Sequence, residues 1–248
     1  MSCSRSCCLP PGFFDMTWLS YLVPRTVLRT TSPYNRDIRI IEEWGKLKLL
    51  VNGSRQSGPY IKKLWEAAFR AFHLEATPHV TSILVLGVGG GTVIKLLADR
   101  YPQARITAVD IDSTIIHLAK EHFRLSEVAE LRFILADAKA FVVAHARERM
   151  NYDLVVVDVF IGRDVPDFMT TPGFYQSLKL LLRPGGRVIL NYLLELGYQK
   201  KSDALFLLLK RVFQDVGDYP CFNKSNRFFY ARRRSSLSLD KRVGGILR

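Results

Sequence analysis

The sequence predicts an α/β fold with two parts, a mostly parallel sheet that ends in an antiparallel terminal hairpin and a small N-terminal antiparallel β-hairpin subdomain. The first part is indicated by short apolar runs that alternate with helical segments from residue 81 onward. The second is indicated by residues 37–44 and 46–51, which alternate in polarity on either side of Gly45. The terminal hairpin is indicated by two strand-like runs that flank the polar residues 223–226.

The elements before the parallel sheet are predicted from local composition. Residues 1–12 look disordered, and residues 13–29 have the pattern of a short amphipathic helix broken by Pro24. After the β-hairpin, residues 59–73 predict a helix with its aromatic residues on one side. We therefore divide the chain into four segments: a disordered tip and short helix (1–31), the hairpin subdomain with its linking helix (32–76), the sheet domain (77–232) and a basic C-terminal tail (233–248).

The parallel sheet is predicted from five apolar runs whose length suits buried strands. They span residues 82–86, 105–109, 131–135, 154–157 and 187–191. Helices are expected at 92–101, 113–123, 139–150, 173–182 and 202–216, and Thr171 with Pro172 provides an N-cap and a first-turn proline for the fourth of them. Strands at 218–222 and 227–232 complete the sheet. A parallel sheet finished by an antiparallel pair is the layout of S-adenosylmethionine-dependent transferases.

Composition narrows the partners and the compartment. The formal net charge is +13, and the excess of Lys and Arg is concentrated at the two ends, above all in residues 232–242. Such a tail can make weak, nonspecific contacts with nucleic acid, although a solvated tail that aids solubility explains the same composition. The longest apolar run, residues 13–23, is too short and interrupted to cross a membrane, so we expect a soluble, cytoplasmic protein. Cysteines at positions 3, 7, 8 and 221 predict reduced thiols, with no disulfide framework and no metal site.

The segment most informative about function runs from residue 81 to residue 92. A β-prone run is followed by Gly87, Gly89 and Gly91, and the next strand leads to Asp110. Glycines permit a tight turn and a close approach to a ligand, and an acidic residue about 20 positions later is placed to hold ribose hydroxyls. Thr92 stands where a dinucleotide fingerprint requires glycine or alanine, and no Lys follows the glycines as in a P-loop. The pattern favours an S-adenosylmethionine-type site over NAD, the alternative being a glycine-rich turn without a ligand.

Residues 32–230 resemble the spermidine synthase superfamily of aminopropyltransferases. The resemblance is carried by short segments along the chain: Ser32-Pro-Tyr-Asn, Asn52-Gly-Ser-Arg-Gln56, Val109-Asp110-Ile111-Asp112, Ala136-Asp137-Ala138, Tyr152-Asp-Leu-Val-Val-Val-Asp158 and Gly173-Phe-Tyr. It implies a Rossmann-like transferase domain and S-adenosylmethionine or decarboxylated S-adenosylmethionine as the group donor. It also implies a small-molecule acceptor such as an amine, and pairing into a homodimer through the N-terminal strands.

The resemblance further implies roles for individual residues. On this basis Gly87, Gly89 and Gly91 would pack against the methionine or aminopropyl part of the donor, and Asp158 would face the reacting end. The other expected donor-binding residues are Gln56 at the nucleoside, Asp110 with Ile111 at the ribose, and Asp137 with Ala138 at the adenine. For Asp110 and Asp137 the alternative interpretation is a helix N-cap.

Two positions depart from the superfamily pattern. Gly90 stands where aminopropyltransferases have an Asp that helps to hold the amine, and Ile161 stands where they have the Asp thought to help deprotonate it. A dicationic amine needs fixed negative charge and a hydrogen-bond acceptor, and neither residue supplies them. Asp164 is the candidate replacement acid and Asp167 the second, although Arg163 between them works against a dicationic substrate.

The sequence leaves three functions open. Aminopropyl transfer from decarboxylated S-adenosylmethionine to a polyamine-type amine is implied by the resemblance. Methyl transfer from S-adenosylmethionine to an unknown acceptor fits the loss of the two acids. A non-catalytic nucleotide-binding scaffold would retain the fold and use its basic ends for partners. Methylation of nucleic-acid bases is disfavoured, because residues 158–161 lack the Asp/Asn-Pro-Pro-Tyr/Phe pattern.

Overall fold

The computed structural model describes residues 18–74, 79–148, 152–195 and 197–235. Within these ranges the chain forms a four-stranded antiparallel sheet and a seven-stranded mixed sheet, together with six α-helices. The predicted fold class is thus confirmed. The tip at residues 1–17 and the tail beyond residue 235 lie outside the described residues, as do residues 75–78, where the predicted boundary of the sheet domain falls.

The N-terminal sheet has the strand order β1-β2-β3-β4, and all neighbouring strands are antiparallel. Its strands are β1 (Arg25–Thr30), β2 (Ile38–Glu43), β3 (Lys46–Val51) and β4 (Ser54–Arg55). The predicted hairpin is the pair β2 and β3. Its two connecting residues, Trp44 and Gly45, both have positive φ, 55° and 63°, as a type I′ turn requires to match the twist of the strands.

The predicted helix over residues 13–29 is wrong in the part that the structure describes. Trp18–Tyr21 is a short 3-10 helix, and Arg25–Thr30 is strand β1, which pairs with β2. Pro24 cannot continue a helix that precedes it, and the following six residues contain three β-branched side chains. The edge of β2 offers these residues ladder hydrogen bonds, a long-range partner that the local pattern did not reveal.

The mixed sheet has the order β10-β11-β9-β8-β5-β6-β7. Its strands are β5 (Ser82–Leu86), β6 (Arg105–Asp110), β7 (Leu131–Leu135), β8 (Tyr152–Val157), β9 (Leu182–Leu193), β10 (Gln214–Pro220) and β11 (Asn226–Arg232). The five strands from β9 to β7 are parallel, whereas β11 and β10 are antiparallel to their neighbours. The helices are α1 (Pro59–Ala71), α2 (Thr92–Arg100), α3 (Ser113–His122), α4 (Ala138–His145), α5 (Pro172–Leu181) and α6 (Gln199–Val212).

The strand order reverses between β5 and β8. From β5 the chain builds the sheet outward through β6 and β7, and it then returns to β8 on the other side of β5. Ligands of open α/β sheets bind outside the carboxyl ends of the strands at such a reversal. The topology therefore predicts a ligand site at the carboxyl ends of β5, β6 and β8.

The largest boundary errors lie in the second half of the chain. Strand β9 begins at Leu182 rather than at 187, because an irregularity between its pairs Tyr152–Leu182 and Leu154–Arg187 absorbs the intervening turn-like residues. Helix α6 spans 199–212 instead of 202–216, and the residues after it enter β10, which pairs with β11. Helix α4 ends at His145, before the predicted 150. Pairing with a neighbouring strand outweighs local helical periodicity at the end of α6.

The two sheets share one core. On one face of the mixed sheet, α1 places Trp65 against Phe228, with ring centroids 4.9 Å apart. The same cluster contains Ile38, Ile40 and Leu49 of the N-terminal sheet, all fully buried. Helices α4, α5 and α6 cover the other face. Within the described part of the chain, no helix combines the length and the apolar character that crossing a bilayer would require.

Candidate active site

A cavity of about 300 Å³ opens at the carboxyl ends of β5, β6 and β8. Its volume suits a small ligand, and it lies where the strand order reverses. Eight of the ten residues predicted for the site line it: Gln56, Gly87, Gly89, Asp110, Ile111, Asp137, Ala138 and Asp158. Apolar side chains complete the wall, from Val109, Ile115, Phe160, Pro166 and Phe168. The cavity thus gathers the carboxyl ends of three central strands and several residues of the N-terminal sheet region.

The glycine turn contributes backbone atoms without side chains to the cavity wall, at Gly87 and Gly89. Gly87 has φ +92°, and a Cβ added to it would lie 2.1 Å from the carbonyl oxygen of Asp158, at the end of the neighbouring strand. Its N–H donates to the Val109 carbonyl at 2.8 Å. Gly89, with φ +50°, approaches the Gln56 backbone, whose oxygen would lie 3.2 Å from an added Cβ. A side chain at position 87 would clash with the backbone of the neighbouring strand, and one at position 89 would contact the Gln56 backbone closely. Both positions therefore favour glycine.

Asp110 fixes this turn from the adjacent strand. Its Oδ2 accepts the Val88 N–H at 2.8 Å, and its Oδ1 accepts the Asp112 N–H at 2.9 Å. Burial raises the pKa of the Asp110 carboxyl, and backbone hydrogen bonds from Asp112, Val88 and Gly89 oppose that rise. A carboxylate has about four lone-pair sites, so it can still accept from a further donor. The N-cap of α3 is Asp112, which accepts the Thr114 N–H at 2.9 Å, so Asp110 is not a helix cap.

Asp137 serves as a helix cap and also lines the cavity. Its Oδ1 accepts the Ala140 N–H at 2.8 Å, as expected of the N-cap of α4. Its Oδ2 makes no hydrogen bond with any residue in the described part of the chain. The two interpretations of this residue are compatible, because one oxygen caps the helix while the other is available to a ligand donor.

The N-terminal region closes one side of the cavity through a contact between Asn35, in the loop after β1, and Asp112, which follows β6. Sequence reasoning assigned neither residue to the site. Both line the cavity, and Asp112 is 2% exposed. Its Oδ2 accepts hydrogen bonds from Asn35 Nδ2, at 2.8 Å, and from the Ser32 hydroxyl. Asp112 is visible in the sequence as the second acid of the segment 109–112. Its partners Asn35 and Ser32 lie 77 and 80 positions earlier in the chain, so the local sequence does not indicate these contacts.

Gln56 makes a second connection between the two sheets. Its side-chain Nε2 donates to the Gly162 carbonyl at 3.2 Å, in the loop that follows β8. An added Cβ at Gly162 would meet the Asn52 side chain at 2.9 Å, so the loop also lies close to the turn before β4. The loop after β8 is therefore held from the N-terminal side.

A second cavity, of about 200 Å³, adjoins the first. Four residues line both cavities: Gln56, Asp158, Phe160 and Gly162. The remaining wall of the second cavity is more polar, with Arg55, Tyr60, Arg163, Asn191, Glu195, Asn223, Ser225 and Asn226. A donor in the first cavity and a nucleophile in the second would meet beside Asp158.

Asp158 has the chemistry of a general base. Its Oδ1 accepts a hydrogen bond from Asn191 Nδ2 at 2.9 Å, and the Trp65 side chain also hydrogen-bonds to it. Burial raises the pKa of the Asp158 carboxyl from 3.8 to about 6, against the opposing effect of these two hydrogen bonds. A carboxylate with a pKa this close to neutrality can accept a proton from a nucleophile and release it to solvent.

Three asparagines are arranged in series behind Asp158. Asn223 Nδ2 donates to Asn226 Oδ1 at 2.7 Å, Asn226 Nδ2 donates to Asn191 Oδ1 at 2.9 Å, and Asn191 donates to the carboxylate. The antiparallel pairing of β9 with β11 brings the last two amides together. Each asparagine therefore donates through its Nδ2 to the residue that is one step closer to Asp158. The series orients the carboxylate and stabilises its charged form.

Asp164 and Gly91 line neither cavity. Asp164 lies in an exposed turn that is closed by two backbone hydrogen bonds with Ile161, at 2.9 and 3.0 Å. The Tyr198 hydroxyl donates to its Oδ1 at 3.4 Å. Gly91 is the N-cap of helix α2, with φ +72°, and an added Cβ there would meet the Leu125 side chain at 2.4 Å. The predicted replacement acid therefore contributes to neither cavity wall.

The two departures from the superfamily pattern have different surroundings. A Cβ added at Gly90 would lie 2.4 Å from the Cβ of Ser57, which is 1% exposed and whose hydroxyl accepts the Leu49 N–H at 2.8 Å. Ser57 therefore fills the space that an acid at 90 would need. Ile161 is half exposed and lines the first cavity. Neither position places a carboxylate in the cavity wall.

Comparisons with known proteins relate this chain to two kinds of transferase. A family model described as a methyltransferase domain matches residues 83–186. A polyamine aminopropyltransferase of Vibrio vulnificus is 29% identical over 114 residues, which are 46% of this chain and 38% of that protein. An eEF1A lysine and N-terminal methyltransferase homolog of Drosophila melanogaster is 31% identical over 155 residues, which are 60% of this chain and 23% of that protein. The matched region thus spans well under half the length of these relatives.

The fold is also that of a solved structure. A probable spermidine synthase from Corynebacterium glutamicum superimposes with a TM-score of 0.71 at 21% identity, and the match covers 83% of this chain and 79% of that one. At this identity the likeness establishes the architecture, which includes more of the chain than the 83–186 segment.

Proposed function

We propose that this chain, which resembles the spermidine synthase superfamily, transfers a carbon group from a sulfonium nucleoside in the first cavity to an amine in the second, and that this group is a methyl. The observation that carries the proposal is the position of Asp158. It lines a cavity of nucleoside size on one side and a polar cavity on the other. A transferase needs such a meeting point for its two substrates.

The first cavity suits S-adenosylmethionine as the donor. Asp110 would accept hydrogen bonds from the ribose hydroxyls with the lone pairs that the glycine turn leaves unused. Asp137 Oδ2 would accept from the adenine amine, with Ile111 and Ile115 available to contact the ring. The bound donor supplies a carbon activated by the adjacent positive sulfur. The chain supplies position, exclusion of water and a proton acceptor.

Methyl transfer is favoured over aminopropyl transfer by the charge of the site. Aminopropyltransferases of this superfamily handle dicationic amines with acids that are replaced here by Gly90 and Ile161. Ser57 occupies the space beside position 90, and the second cavity carries Arg55 and Arg163 in its wall. A dication would meet these like charges, and the two acids that aminopropyltransferases use to hold and deprotonate it are missing.

An amine acceptor is favoured by the chemistry of Asp158. An ammonium group must lose a proton before its nitrogen lone pair can attack, and Asp158 is placed to take that proton. The lone pair then forms the N–C bond with the methyl carbon. The C–S bond breaks, its electron pair stays on sulfur, and S-adenosylhomocysteine leaves. The fly relative is named for methylating lysine and an N-terminus, both of which are amines.

Aminopropyl transfer is the second candidate. It is favoured by the matched segment of the Vibrio vulnificus relative, which is named a polyamine aminopropyltransferase. Decarboxylated S-adenosylmethionine would then be the donor, and methylthioadenosine the product that leaves.

The test is calorimetric titration with S-adenosylmethionine and, separately, with decarboxylated S-adenosylmethionine. Tighter binding of S-adenosylmethionine, followed by amine-dependent formation of S-adenosylhomocysteine that Asp158→Asn abolishes, supports methyl transfer. Tighter binding of the decarboxylated form, with release of methylthioadenosine, supports the second candidate. Binding of neither donor would refute both and favour a scaffold.

A further inference from the structure

The charges around the second cavity point to the class of acceptor. We infer that the acceptor carries an anionic group, such as a carboxylate, in addition to the amine that reacts. The inference rests on the proposed function, because it concerns the second substrate of that reaction. It predicts a zwitterionic aminocarboxylate in place of a polyamine.

Two arginines of the cavity wall have hydrogen-bond donors to spare. Arg163 is exposed and makes no hydrogen bond or ion pair with any residue that the structure describes. Arg55 is also exposed, and its ion pair with Glu43 is long, at 4.0 Å. That carboxylate has Lys48 as a closer partner. Guanidinium groups bind carboxylates through paired N–H donors, so both arginines are available to an anionic group.

The acids of the same wall do not outweigh the arginines. Its carboxylates are Asp158, which we assign to proton transfer, and Glu195, whose Oε2 accepts the Ser225 hydroxyl at 2.7 Å. With both ionised the wall is neutral overall, and it becomes positive when Asp158 takes up a proton. A neutral wall with separate positive and negative groups matches a zwitterion better than a dication.

The depth of these groups gives the acceptor a direction. Asp158 is partly buried at the junction with the first cavity, whereas the two arginines are exposed. The amine would therefore lie inside, beside the donor, and the carboxylate would lie toward solvent. The cavity volume of about 200 Å³ corresponds to roughly seven water molecules at about 30 Å³ each, which is enough for a short linear molecule.

Three probes with the same four-carbon chain test the inference: 4-aminobutanoate, 1,4-diaminobutane and 1-aminobutane. Each is titrated by calorimetry into the 248-residue chain already loaded with S-adenosylhomocysteine. We expect 4-aminobutanoate to bind about tenfold more tightly than 1,4-diaminobutane, the effect of about one charge-assisted hydrogen bond. Arg163→Gln should remove most of this preference, and Arg55→Gln in addition should remove the rest. Arg100→Gln, a change of an exposed arginine at the end of α2 that lines neither cavity, should leave the preference intact.

The outcomes separate this inference from the proposed function. Equal or tighter binding of 1,4-diaminobutane would overturn the inference, and so would a preference for 4-aminobutanoate that survives both arginine substitutions. Binding of S-adenosylhomocysteine with no binding of any probe would also overturn it, while leaving the donor site of the proposed function in place. Failure of S-adenosylhomocysteine to bind would instead refute the proposed function.

Discussion

The carboxyl group of Asp158 should make the stability of this protein depend on pH in a way that Asp158→Asn removes. Burial raises its pKa from 3.8 to about 6. The folded state therefore binds this proton more tightly than the unfolded state does. The contribution to stability is fully present below about pH 4 and is lost as the pH rises through about 6. At 1.36 kcal/mol per pH unit between the two values, the loss amounts to about 3 kcal/mol above pH 7.

The measurement is urea unfolding followed by circular dichroism from about pH 4 to about pH 8. The free energy of unfolding of Asp158→Asn minus that of the wild type should increase by up to about 3 kcal/mol across this range. Other titrating groups contribute equally to both proteins and cancel in the difference. A difference that stays constant with pH would refute the assignment of a raised pKa to Asp158, and with it the argument for a general base.

Asn191→Ala provides a matched variant for the same experiment. Asn191 donates to Asp158 Oδ1 and so favours the charged carboxylate. Its removal should raise the pKa of Asp158 further and move the pH at which stability is lost to a higher value. A shift to lower pH would contradict the role given to the asparagine series.

Three further predictions concern the glycine turn and its partner carboxylate. Asp110→Ala should eliminate calorimetric binding of S-adenosylhomocysteine while circular dichroism remains that of a folded protein, and unchanged affinity would contradict the ribose assignment. The same change should lower the free energy of unfolding by about 1–3 kcal/mol, because the N–H groups of Val88 and Asp112 lose their acceptor. Gly87→Ala should lower the free energy of unfolding by more than about 2 kcal/mol, because the new methyl group would lie 2.1 Å from the Asp158 carbonyl oxygen. The control Gly173→Ala, whose methyl group would have no atom within 4 Å, should change stability by less than about 1 kcal/mol, and similar urea midpoints for the two variants would refute the close approach. Gly90→Asp should also lower the free energy of unfolding, and adding Ser57→Gly to that variant should recover part of the loss. If the effects of the two substitutions are simply additive in this double-mutant cycle, the two residues do not compete for space.

The sequence was sufficient for features that depend on neighbours along the chain. The runs of Val, Ile and Leu predicted β5 and β7 with the bounds that the structure shows, and the hairpin of β2 and β3 followed from alternation around Gly45. The position of Asp110 after the glycines predicted its place at the cavity. In each case the strand or turn is specified within a few residues.

Errors arose where a distant partner decides the structure. Strand β1 forms because β2 offers it a ladder, and β10 takes residues that have helical periodicity because β11 lies beside it. Asp164 was predicted as the replacement acid, yet it lies in a short turn closed by Ile161 and lines neither cavity. Local patterns carry no information about these contacts.

The sequence by itself determined the α/β class, the glycine turn and the acidic residue that faces it, because backbone propensity and hydrophobic periodicity act over short distances. Only the tertiary structure placed Asp158 between two cavities, connected it to the asparagine series and brought Arg55 into the same wall as Arg163. These groups lie in β4, β9 and β11, in the loop after β8 and in the turn between β10 and β11. Their distances, and the burial that raises the pKa of Asp158, exist only after the two sheets have packed together.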